Sequence, residues 1–154
     1  MSNFLLACLV GIASTSLMTF ALYLLHWRGF ANGDMVRALG SFLTRHYENA
    51  LGPGLALHYT FGVLFTFLYI YVWGMFPEIA ADGIWRYVAL GVFCGAAQGL
   101  VVSMLLVIFV AEHHPLLQFR VAGMRVALAH VLAHVVFGGV VGLMVGWLRL
   151  SLIM

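Results

Sequence analysis

The chain has 154 residues, 64% of them hydrophobic and 8% charged, with a net charge of +2. An ordinary soluble domain is about a quarter charged, so this balance, with a mean hydropathy of +1.08, excludes a water-soluble fold. So small a positive charge also gives no footprint for nucleic acid, and the two cysteines, Cys8 and Cys94, sit inside apolar runs where they suit packing better than a disulfide.

The first apolar run covers residues 3–26. "MSNFLLACLVGIASTSLMTFALYLLHW" is too long for a cleavable signal peptide and lacks its basic start, so it reads as a first span. Next comes "NGDMVRALGSFLTRHYEN", whose Met35, Val36, Leu39, Phe42 and Leu43 recur near a 3.6-residue period. With Gly33-Asp34 as its cap, residues 33–48 predict an amphipathic helix at the membrane surface. Three more apolar runs follow, over 53–76, 84–111 and 124–150. Each reaches the ~20 residues that cross hydrocarbon as a helix, and none shows the alternation of barrel strands. The expected fold is all-α: an integral membrane four-helix bundle, one transmembrane domain over 1–154, with an amphipathic interfacial helix between spans one and two.

Four spans return the chain to the side on which it began, here called A, with B opposite. Arg28, Arg37, Arg45, Arg120 and Arg125 fall on B, whereas only Arg86 and Arg149 fall on A. This bias makes B the cytoplasmic side. All seven histidines fall in the B half: His26 ends span one, His46 follows it, His58 lies early in span two, His113 and His114 close span three, and His130 and His134 begin span four.

Glycines indicate which helices approach closely. Gly91, Gly95 and Gly99 in span three, and Gly138, Gly142 and Gly146 in span four, are small-xxx-small series at matching depths. A bundle tight on A and wide on B follows, with a cavity opening toward B.

Ionisable groups in a membrane are costly and mark sites. His130 and His134 form an HxxxH on one helix face, a spacing that allows a shared metal. At about 100° per residue, His113 falls on the glycine face of span three, His114 to one side and Glu112 opposite. His58 shares a ridge with Gly62 and Thr66. The expected metal ligands are therefore His58, His113, His130 and His134. Glu112 and His114 form a second rank that Pro115 brings in if it distorts the helix end. Asp34, His46 and Glu48 read as solvated.

Three or four imidazoles suit copper, iron or zinc; the oxygen cages of calcium and magnesium are absent, as is the paired Glu-x-x-His of di-iron bundles. The chemistry expected first is a redox or oxygen-related metal centre, as in a metal-dependent membrane oxidoreductase. The alternatives are haem b between two facing histidines, proton or metal-ion transport through Ser14, Thr15, Ser16, Thr19, Gln98 and Ser103, and an accessory subunit of a larger membrane complex. Besides the lipid bilayer, other membrane subunits or further copies of the chain are the expected partners.

"GIASTSLMTFAL", then "GDMVRALGSFL", then a histidine early in span two, resemble a group of small four-span bacterial membrane proteins of unknown function. The likeness is best over the first third of the chain. It implies a bacterial inner-membrane location and supplies no activity.

Overall fold

A computed structural model describes residues 3–76, 78, 83–121 and 123–149, and contains no strand among them. Five helices carry the fold: α1 (Asn3–Trp27), α2 (Met35–Thr44), α3 (Leu51–Gly74), α4 (Ile84–Leu105) and α5 (Met124–Leu148). A π-helical turn, Leu106–Val110, and a last α turn, Ala111–His113, continue α4. Four helices are long and apolar enough to cross a membrane: α1, α3, α5 and the continuous Ile84–His113. The protein is thus a helical integral membrane bundle with one short amphipathic helix between its first two spans. Most of the sequence loop "FPEIAADG", and the expected end of span four at 150, lie outside the described residues.

The spans pack in the order α3–α1–α5–α4. α1 and α5 are central, with 39% of each apolar window buried against 22% for α3 and α4. Glycines make the closest contact, as the sequence indicates. A Cβ on Gly91 would strike the Gly138 carbonyl, one on Gly95 that of His134, and one on Gly142 that of Tyr87. Only a missing side chain lets two backbones lie this close, where dispersion and packing rather than hydrophobic transfer hold helices together in lipid. α1 meets α3 in the same way: a Cβ on Gly11 would lie 2.8 Å from Val63 Cα, and one on Gly62 would strike Thr15 Oγ1.

The remaining neighbour pair, α3 and α4, differs. Among the described residues two side-chain bridges join these helices, one near mid-span and one toward side A. The Tyr69 hydroxyl donates to Gln98 Oε1 at 2.6 Å, and the Trp73 and Tyr87 rings stand 5.9 Å apart. Their backbones do not pack closely, unlike those of the other neighbouring pairs.

α2 lies across the start of α3. A Cβ on Gly40 would strike the Ala50 carbonyl and one on Gly54 that of Val36, so the two backbones cross at a pair of glycines. The helix is shorter than the sequence suggests. It stops at Thr44 because Arg45 turns left-handed (φ 58°), its N–H closing on the Ser41 carbonyl at 2.9 Å. Asp34 holds the N-cap position expected of it, its carbonyl accepting the Ala38 N–H at 3.0 Å, but its side chain makes no capping bond. Its carboxylate instead accepts the Tyr23 hydroxyl at 2.9 Å and the Tyr47 hydroxyl at 2.8 Å, tying α1 and both ends of the α2 segment together. Arg37 sits over the Tyr47 ring, 4.7 Å from its centre, and donates to the Tyr47 carbonyl at 3.0 Å. The bond to Asp34, followed by burial, raises the Tyr47 phenol above its ordinary pKa of 10.0, so this clasp is intact at neutral pH.

Candidate binding cavity

A cavity of about 320 Å³ occupies the B half, lined by residues of α1, α2, α3, α4 and α5. Met18 and Leu22 of α1 and Ala133 and Phe137 of α5 form its back, and Met35 and Leu39 of α2 its floor. Phe61 of α3 and Leu105 of α4 stand at its front, 47% and 51% exposed. The glycine series thus point to the half that holds the cavity, and half-exposed Phe61 and Leu105 mark its edge between α3 and α4.

His58, His130 and His134 all line this cavity, together with Gln98. Their ring orientations follow from their partners. A carbonyl can only accept, so the 2.7 Å contact from His130 Nδ1 to the Val126 carbonyl makes Nδ1 the N–H. The same holds for His134 Nδ1, 2.8 Å from the His130 carbonyl. In an uncharged ring the other nitrogen, Nε2, then carries a bare lone pair. For His58 the tautomer is set by Thr19, whose hydroxyl hydrogen goes to the Thr15 carbonyl at 2.7 Å. Thr19 Oγ1 must therefore accept from His58 Nε2, 2.9 Å away, which leaves the lone pair on Nδ1. Three imidazoles are each anchored by their N–H and each keep an acceptor nitrogen. Among the described residues His130 Nε2 is buried with no hydrogen-bond partner, although the residue is only 3% exposed. Gln98 completes the polar set: its oxygen takes the Tyr69 hydroxyl, and its NH₂ remains a donor.

The other expected ligands lie elsewhere. His113 is exposed, its Nδ1 donating to the Phe109 carbonyl at 3.2 Å, and Glu112 is exposed beside it. His114 is fully buried instead. The π turn over Leu106–Val110 explains the exchange. Its i→i+5 bonding inserts one residue into the helical phase, so His114 takes the inward direction that regular winding assigns to His113. His114 nevertheless does not reach the cavity. The Leu116 N–H donates to its Nδ1 at 3.0 Å, and its Nε2–H donates to the Ala38 carbonyl at 3.0 Å, between the Phe42 and Phe119 rings. It is a latch that holds α2 against the loop after α4. His26 accepts the Gly33 N–H at 3.2 Å, and His46 is exposed.

Among the described residues no three His, Cys, Asp or Glu side chains converge to hold one metal ion. Of the hydroxyls considered for a transport path, Ser14 Oγ is buried with no hydrogen-bond partner among the described residues, and the others are engaged. Thr15, Ser16 and Thr19 each donate one turn back, and Ser103 donates to the Ala127 carbonyl across the α4–α5 contact. Gln98, read in the sequence only as a relay group, lines the cavity and supplies a donor, and Thr19, outside the lining, orients His58. Phe61, Phe65, Val102 and Leu105 carry no signal in the sequence that would separate them from lipid-facing residues.

Fold and cavity together define the class: a small helical membrane protein with an intramembrane cavity bordered by imidazoles. No family model matches the chain, and no curated protein or solved structure matches it either.

Proposed function

We propose that the protein binds a small lipid-soluble molecule in this cavity, taken directly from the bilayer through the gap between α3 and α4. The observation that carries the reading is an apolar cavity lined by both α3 and α4 in the half that holds His58, His130 and His134, with half-exposed apolar residues at its edge. Such a cavity within the membrane favours a guest already dissolved in hydrocarbon. Its size supports two fused rings: an apolar cavity of about 150 Å³ accepts benzene, and this one has about 320 Å³. The arginine bias places the imidazole-bearing half toward the cytoplasm, and the bacterial inner membrane remains the location that the sequence resemblance implies.

Ala133 is 1% exposed and forms part of the back wall, so Ala133→Phe fills the cavity from inside. Equilibrium partition of naphthalene into protein-bearing vesicles, compared with matched empty vesicles, is expected to show about one saturable equivalent per chain. Ala133→Phe is expected to reduce that excess at least tenfold. Equal uptake by both proteins would sink the reading.

A second reading has its own support. Metal-binding histidines donate one ring N–H to a carbonyl or similar group and present the other nitrogen, as His130 and His134 do on their HxxxH. In this reading copper, iron or zinc sits on that pair, and His58 closes on it. Stoichiometric metal that survives chelator dialysis and is lost in His134→Ala would favour it over an organic guest.

A further inference from the structure

We infer that the cavity selects guests bearing a hydroxyl: apolar molecules with a phenol or alcohol head that donates a hydrogen bond to the imidazoles. This deepens the proposed function and rests on it. The placement of hydrogens decides the preference. The polar atoms that the lining side chains leave for a guest are His134 Nε2 and His58 Nδ1, which are acceptors, and the Gln98 NH₂, which is a donor; the bare Nε2 of His130, a third acceptor, lies closed off behind them. None of the three rings is free to exchange its role. Each N–H is held by a carbonyl, or by a hydroxyl that has already spent its own hydrogen. Turning a ring over to offer its N–H would leave that carbonyl or hydroxyl facing a lone pair.

An acceptor-rich pocket discriminates through what it leaves unpaired. A ketone, ether or ester brings only acceptors, so one of them can take the Gln98 NH₂ while the imidazole nitrogens stay bare. A hydroxyl brings the missing hydrogen and still has lone pairs for Gln98. The bare nitrogens of His134 and His58 gain most, because an unmet polar atom is costly in so apolar a site. Nothing in the walls opposes the body of such a guest, since Met18, Phe61, Phe65 and Phe137 present thioether and ring faces.

The test compares 1-naphthol, 1-methoxynaphthalene and naphthalene by the same vesicle partition, at neutral pH and with a chelator present so that no metal competes. After correction for uptake into empty vesicles, 1-naphthol is expected to bind about tenfold more tightly than the methyl ether. That ratio is one neutral hydrogen bond in a site where the alternative is none. Equal affinity for all three overturns the inference and leaves the cavity reading intact. Saturable binding of none overturns both. A second readout needs no variant. In protein labelled with ¹⁵N-histidine, the non-protonated ring nitrogens are expected to shift with 1-naphthol and stay fixed with the methyl ether. Naphthol binding without such a shift overturns the inference, because the hydroxyl would then have found another partner.

Discussion

Replacing Gly138 by alanine is expected to destabilise the protein by about 3 kcal/mol, while Gly139→Ala leaves stability within about 0.5 kcal/mol of the parent or slightly raises it. The two glycines are adjacent and equivalent in composition, hydropathy and depth, so only packing separates them. A Cβ on Gly138 would strike the Gly91 carbonyl and lie 3.0 Å from Gly95 Cα, and both of those are backbone atoms of α4. Neither can rotate away, so the helices must part along their main contact, and overpacking of this kind lies at the upper end of its usual ~1–3 kcal/mol. At Gly139 the nearest atom is the Val92 Cγ2 methyl at 3.5 Å, which is ordinary contact. There the better helix propensity of alanine outweighs any crowding. Reversible unfolding of the two variants in the same detergent micelle measures the difference. Equal destabilisation would mean that α4 and α5 do not meet through Gly91 and Gly138.

The second large effect belongs to the neighbouring histidines. His114→Leu is expected to cost about 3 kcal/mol. It removes the acceptor of a part-buried N–H, that of Leu116, which costs about 1 kcal/mol, and also the bond from the buried ring to the Ala38 carbonyl and its packing between Phe42 and Phe119. The damage should be local as well as global, because the lost Nε2–H bond is the one to the Ala38 carbonyl of α2. Hydrogen exchange is therefore expected to quicken over residues 35–44 before the spans respond. His113→Leu, one residue earlier and exposed, should fall within about 0.5 kcal/mol of the parent. The reverse order of effects would restore the regular helical phase and speak against the π turn.

This pair also shows where the sequence is readable and where it is not. Composition and run length suffice for the four spans, and the i, i+4 glycines suffice for the α4–α5 contact, because both signals are local and periodic. His130 and His134 fall on the cavity for the same reason: regular winding over one uninterrupted helix carries their phase from Gly138. His113 fails because its phase has to be carried through "LVIFV", where nothing in five apolar residues marks a π turn. The side chain of Asp34 fails differently. Its position before a helix is that of a cap, but its partners Tyr23 and Tyr47 are 11 and 13 residues away, and such pairings depend on tertiary placement. Apolar lipid-facing and cavity-facing residues are alike by composition, so neither the cavity between α3 and α4 nor Phe61 and Leu105 at its edge is visible before the helices are arranged.

Everything proposed for the cavity depends on a lipid-soluble guest reaching the inside of the bundle from the membrane. Photolabelling in bilayers with a naphthalene carrying a diazirine, followed by mass-spectrometric mapping of the adducts, decides whether it does. Outward-facing residues such as Phe93 and Leu100 will take some label from the lipid in any case. Adducts on Phe65, Ala133 and Phe137, which line the cavity, are the expected result, suppressed by excess unlabelled 1-naphthol. Label confined to the outward faces, with Ala133 and Phe137 untouched, would refute entry from the bilayer.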